Sequence, residues 1–331
     1  MDSSGTSAIA LPLASYRARF VATTAVSLPP YAGSTWRGAL GHALKRAVCI
    51  TRLPACPECL LYRSCAYSYV FETPPPLGTN RLRKYPAAPH PFVLDLLPEP
   101  ARIEPGATHR LGFTLIGRAN DRLAYFAWAL DNAAQQGLGR GGGGLRMEAL
   151  EQEATPGSGD WQRIWSRDAR LEPLPPASPV LPAMPEAFTI RLATPLRLKG
   201  EGEPVRPEDF GFGSFFSHLL RRISLLAYFH TGRELEADFA GLTRQAHLVS
   251  LRDARLDWCE LKRYSNRQGR HVPMGGITGS FALEGAQARP FWPVLWLGRF
   301  VHAGAATVMG LGAYDIETAS LQHAGHAGAP D

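Results

Sequence analysis

The chain has 331 residues, 45% of them hydrophobic, and carries 35 basic against 29 acidic side chains for a formal charge of +6. That length allows two ordinary domains with full cores, and no apolar run approaches the roughly 20 residues of a membrane span. The opening residues, MDSSGTSAIALPLASYRARF, lack the basic-then-apolar order of an export signal, so a cytoplasmic protein without membrane contact is expected.

In chain order, YRARFVATTAVSL reads as a strand and GSTWRGALGHALKRAV as the helix after it. Four of the five cysteines follow within seventeen residues: Cys49, Cys56, Cys59 and Cys65, spaced C-x6-C-x2-C-x5-C. In a reducing compartment such clustering points to metal before disulfides. The central C-P-E-C knuckle sets two thiolates on one side of a tight turn, and the outer pair can close a tetrahedron around structural zinc. An iron–sulfur cluster would use the same ligands. Cys259, alone beside Trp258, reads as a packed thiol.

Next come the strand FTLIG, the aromatic helical segment RANDRLAYFAWALDN, the glycine loop QQGLGRGGGGLR and the strand GLRMEALEQ. The proline-dense LEPLPPASPVLPAMPEA reads as a linker over 171–187. Beyond it the plan repeats. At an offset of 168, Phe113 matches Phe281, Leu115 matches Leu283, Gly117 matches Gly285 and Gly144 matches Gly312. GHALKRAV also matches SHLLRRIS, setting His42 against His218. Strand, helix, two strands, helix and strand make the ferredoxin-like plan. The expected fold is therefore α+β, with two ferredoxin-like (RRM-like) domains in tandem, 1–170 and 188–318. A cysteine-rich metal-binding insertion falls in the first, and a flexible tail covers 319–331.

WRGALGHALKRAV, the four cysteines, CAYSYVFETP, RYSNRQGRHVPMGGITGSF and HAGAATVMGLGAY together resemble one family. It is the CRISPR precursor-RNA-processing endoribonucleases of the RAMP superfamily, in particular members with a cysteine cluster. The resemblance touches roughly 31–76 and 260–315. It implies tandem ferredoxin-like domains that bind the CRISPR repeat RNA and cut it once per repeat. No metal takes part: the ribose 2′-hydroxyl attacks in line and leaves a 2′,3′-cyclic phosphate. Any zinc would be structural, and no cofactor would be required for catalysis. Partners would be repeat RNA or crRNA, with effector-complex subunits as further partners. A non-catalytic crRNA-binding subunit is the alternative.

Such chemistry needs a base, an acid and positive charge at the phosphorane, and histidine suits either proton role near neutral pH. The resemblance points to His42 as general acid or base, Tyr31 as its partner and Lys45, three residues on, as charge stabiliser. His42 also has Leu40, Ala43 and Leu44 beside it, so packing on an apolar helix face is the competing expectation; His218 and His302 are further candidates. Ala305 stands where the family often has a lysine three residues after the histidine of HAGAATVMGLG.

For RNA, LKRYSNRQGRH offers Lys262, Arg263, Arg267 and Arg270, with Tyr264 to stack a base and Asn266 and Gln268 to read base edges. Gly275 and Gly276, with Gly279, would let backbone approach phosphate. Arg37 is a further candidate contact. Only four lysines occur, so guanidinium forks supply most of the positive charge.

Overall fold

The structure is a computed structural model describing residues 9–79, 87–96, 102–200, 202–265 and 269–318, with backbone alone at Tyr264 and Ser265. Arg267, Gln268 and Asn266, and the tail after 318, lie outside the described residues.

Strand β1 (Leu13–Ala22) alternates as its sequence implies. Ala14, Tyr16, Ala18 and Phe20 are buried, while Ser15, Arg17 and Arg19 turn to the other face. Helix α1 (Gly33–Val48) follows, then β2 (Phe92–Asp95), β3 (Thr108–Ile116), α2 (Leu123–Gln135), β4 (Leu145–Glu153) and β5 (Trp161–Ser166). Every pairing is antiparallel, in the order β2-β3-β1-β4-β5.

The second half runs β6 (Ala187–Leu196), α3 (Phe212–Thr231), α4 (Phe239–His247), β7 (Arg252–Cys259), β8 (Lys262–Ser265), β9 (Arg270–Pro273), β10 (Gly276–Glu284), α5 (Trp292–Val301) and β11 (Tyr314–Thr318). Its antiparallel sheet is ordered β7-β10-β6-β11. The first strand of each half lies between the third and the fourth, which is the ferredoxin-like arrangement expected from the repeat, with β5 and α4 added. Phe113 and Phe281 are both buried in the third strand of their unit.

The two cores meet. Leu11, Leu13 and Ile116 of the first half belong to the hydrophobic cluster of the second. Gly117 marks the same contact: a Cβ there would sit 2.2 Å from the His230 carbonyl oxygen. The proline-dense segment, expected as a linker, is lashed to both halves. Ala177 bridges to Leu13, the Gln152 amide brackets the Leu174 backbone at 3.0 and 2.9 Å, and Trp292 Nε1 donates to the Pro182 carbonyl at 2.9 Å. Among the described residues no helix is long and apolar enough to cross a membrane.

Candidate functional site

Helix α1 buries Trp36, Leu40, Ala43 and Leu44 against the first sheet. Its 100° step then places His42 on the opposite side, where the ring is exposed. The apolar-packing alternative fails for this residue. One turn away stand Gly38, where an added Cβ would touch nothing, and exposed Arg46. Gly41 and Arg37 abut Phe71 on one flank of the helix, and α2 packs along the other. Tyr125 and Trp128, 47% and 50% exposed, stand on the outer face of α2. The sequence showed an aromatic helix there; which aromatics face outward is set by packing.

The other two candidate histidines lie in the second half. His218 Nδ1 donates to the Ser214 carbonyl at 2.8 Å, one helical turn back. His302 is buried, and desolvation, with the Arg222 charge, holds its pKa down at about 3. An imidazole so depressed is neutral at working pH and is a poor proton donor.

The structure does not bring the three expected catalytic residues together. Tyr31 precedes α1 and donates its hydroxyl to the Met309 carbonyl at 2.8 Å. Nine helical steps separate Gly33 from His42, about 13.5 Å along the axis. Lys45 shares a face with His42 but lies with its ammonium 5.5 Å from the Tyr67 ring centroid, its charge close to Cys56. Arg37 is half-buried, its guanidinium 5.0 Å from the Phe71 centroid.

Cys49, Cys56, Cys59 and Cys65 all line one small cavity of about 20 Å³, together with Lys45 and Tyr67. Burial raises the Cys56 thiol and the Lys45 charge opposes it. The Leu61 N–H donates to Cys59 Sγ at 3.4 Å, and Thr51 Oγ1 lies 3.3 Å from the same sulfur. Among the described residues no three His, Cys, Asp or Glu side chains already stand in metal-ligating geometry. Four cysteines lining one small space match a thiolate-bound ion in number and ligand chemistry alone.

The expected basic loop is a two-stranded hairpin. Lys262 pairs with Pro273, Arg263 with Val272, Tyr264 with His271 and Ser265 with Arg270. Arg197 Nη1 holds the Pro273 carbonyl at 2.9 Å, and the Arg197 carbonyl accepts the Ala305 N–H at 2.9 Å. The hairpin is thus tied to the glycine loop whose Met309 meets Tyr31. Gly275 and Gly276 have a packing reason of their own: a Cβ would lie 2.8 Å from the Cys259 and 2.7 Å from the Leu196 carbonyl oxygen.

A basic surface that sequence reading missed lies on the open face of the first sheet. Arg19 and Arg110 are directly opposed across β1 and β3, and neither has an ion pair among the described residues. Like charges opposed across strands repel, so this pair favours an anion above it. Beside them Arg17 stacks on Trp161 at 3.6 Å, at the edge of a cleft of about 390 Å³ between the halves. On the second sheet, Arg191 is neutralised by Asp315 at 2.8 Å and by Glu317. The signal was the alternation R-A-R in β1, but its meaning needs the register.

Two family models match the chain. One, described as an N-terminal domain, covers residues 11–176; the other, CRISPR-associated endoribonuclease Cas6, covers residues 190–314. Over residues 190–314 the chain is similar to the CRISPR-associated endoribonucleases that the Cas6 model describes. No curated protein matches it. Among solved structures, a Cas6 product complex is similar at TM-score 0.55 and 19% identity, over 92% of this chain and 99% of that one. Thermus thermophilus Cas6 is similar at TM-score 0.51 and 16% identity, over 92% and 98%. A partial Cas6-RT-Cas1–Cas2 complex gives TM-score 0.55 and 15% identity over 95% of this chain and 47% of that one. At these identities the structures show a shared fold.

Proposed function

We propose that the protein is a cytoplasmic endoribonuclease that binds CRISPR repeat RNA and cuts it once per repeat, without metal in the reaction. The ribose 2′-hydroxyl attacks the adjacent phosphate and leaves a 2′,3′-cyclic phosphate and a free 5′-hydroxyl. The observation that carries the reading is His42: an exposed imidazole on the first helix of a chain whose second half is similar to Cas6 endoribonucleases, beside Arg46 and the open position at Gly38. It serves as general acid or base, and its neighbour Arg46 supplies positive charge near the phosphorane. Repeat RNA incubated in EDTA tests this. His42→Ala should slow single-turnover cleavage by about two orders of magnitude with RNA affinity retained. A 2′-deoxy sugar at the scissile position should block cutting. Undiminished cleavage by His42→Ala discards the assignment.

A second reading, a non-catalytic crRNA-binding subunit of an effector complex, draws on a specific observation. Tyr31 and Lys45 are engaged elsewhere, so His42 lacks both expected partners. Tight binding without cleavage in the same assay selects it. Under either reading the four cysteines would hold a structural zinc ion, which ties the α1 C-terminus to the segment after it.

A further inference from the structure

A larger cavity, about 520 Å³, opens between the stretch 63–77, which includes the last of the four cysteines, and the C-terminal end of α3. None of its lining residues belongs to α1, so it is separate from His42. Its volume falls within the range of small-molecule sites, and it lies where two halves of the chain meet, a common place for one. Arg63, Arg118 and Arg122 line it, against the single carboxylate of Asp121. Leu77, Pro74 and Phe229 supply apolar wall.

The floor is fixed in advance. His230 Nε2 lies 2.7 Å from the Pro89 carbonyl, which can only accept, so that nitrogen holds the proton. Nδ1 is then the acceptor, and the Tyr69 hydroxyl donates to it at 3.0 Å. The phenol oxygen keeps its lone pairs for donors, and the Arg118 charge lies near it. Arg118 Nη2 also donates to the Phe229 carbonyl at 3.1 Å, which sets the direction of the guanidinium. Thr73, another lining residue, has a left-handed backbone at φ 48°, and its Oγ1 lies 2.7 Å from His90 Nδ1. Thr73 caps the helical turn Ser68–Glu72 in that geometry, and residues in such backbone regions cluster at functional sites.

We propose that this cavity binds one nucleotide, its phosphate held by Arg63, Arg118 and Arg122 and its base laid against Leu77, Pro74 and Phe229. Guanidinium forks match phosphate oxygens in pairs, and the apolar wall needs a flat partner. An inorganic anion would satisfy the first feature alone. The nucleotide comes either free or as one unit of an RNA strand. The site does not depend on the chain cutting RNA.

Isothermal titration of the full chain distinguishes the outcomes, with the four nucleoside 5′-monophosphates, inorganic phosphate, an acidic peptide and a short single-stranded RNA as probes. Arg63→Gln and Arg122→Gln are the variants, because neither side chain bonds to His230, Tyr69 or Pro89; Arg63 Nη1 donates to the Pro75 carbonyl at the rim, and thermal melting confirms that the variants fold. Saturable binding of at least one monophosphate, weakened about tenfold or more in each variant, supports a free nucleotide. RNA affinity lowered about tenfold in the double variant, with no monophosphate binding, supports a strand nucleotide and keeps the proposal. RNA and monophosphate affinities that both ignore the two substitutions overturn it. So does inorganic phosphate binding as tightly as any nucleotide, or the acidic peptide displacing them. Cleavage is scored separately, so loss of the nuclease reading and loss of this site give different results.

Discussion

Tyr31 and Met309 are joined across 278 residues: the phenolic O–H donates to the methionine carbonyl at 2.8 Å. The bond ties the loop before α1 to the glycine loop of the second half, where a Cβ on Gly33 would already lie 1.8 Å from the same carbonyl oxygen. Burial, with the Asp95 carboxylate nearby, pushes the phenol far above its ordinary range, so a phenolate is not accessible. Tyr31→Phe should therefore lower unfolding free energy by about 1–2 kcal/mol and change single-turnover cleavage by only a few-fold. Urea titration and a cleavage time course together check this; a hundredfold loss of cleavage with unchanged stability would restore Tyr31 to the chemistry.

Arg19 and Arg110 carry the second expectation. If RNA phosphate runs over the open face of the first sheet, each guanidinium releases a counterion on binding. The variant Arg19→Gln with Arg110→Gln should flatten the slope of log affinity against log salt by about 1.4 for single-stranded contact. It should also melt at the same temperature or higher, because two opposed like charges are gone. An unchanged slope places the RNA elsewhere.

Much of this was legible in the sequence. Phe113 and Phe281 match at fixed offset because the third strand of each unit needs a buried aromatic at one level. Gly117 and Gly285 match because both bring backbone within 2.5 Å of where a Cβ would be, against the carbonyl oxygens of His230 and Pro185. Local sequence encodes such constraints. The exposure of His42 could not be settled that way, since Leu40 and Leu44 flank it whichever way it points. The attachment of Tyr31 to Met309 and the pairing of Arg19 with Arg110 are products of tertiary register, and one chain read linearly does not hold them. The proline segment misled for a related reason: proline limits its own donors, yet Ala177 and Leu174 between the prolines still make backbone bonds.

The cysteines give a third test. Protein purified without chelator should hold about one zinc per chain, released by a thiol-reactive mercurial. Stripping it should loosen residues 49–65, read as faster amide exchange there, and lower the melting temperature. Cys59→Ser should act likewise. Iron in place of zinc would alter the identity of the ion, and absence of any metal removes the site.

Buried histidines predict how stability depends on pH. Burial lowers His90 and His230 to about 4 each, and positive charges around them add to the effect. Their folded values lie below the unfolded value near 6.5, so the unfolded chain takes up protons first as pH falls. The contribution is complete above about pH 6.5 and drains away toward pH 4, on the order of 3 kcal/mol for His230 alone. Because His230 bonds Tyr69 and Pro89 of the other half, the loss is felt at the junction. Melting temperature measured from pH 7.5 to 4.5 should fall for the native chain and fall less steeply for His230→Gln. Parallel curves would mean that His230 does not titrate in this window.

Trp128 supplies the last test, because it separates a strand crossing His42 from one bound only at the sheet face. It stands half exposed on the outer face of α2, the helix packed beside α1. If the strand that crosses His42 also runs over α2, a displaced base can stack on this indole, and such stacking contributes about 1–3 kcal/mol. In the His42→Ala background, where cleavage does not blur the equilibrium, Trp128→Ala should weaken RNA binding about fivefold to a hundredfold. Its effect should change little with salt, unlike that of the arginine pair, since no counterion is released by stacking. An affinity unmoved by Trp128→Ala, with Arg19 and Arg110 still required, would put the RNA on the sheet and leave His42 without a substrate.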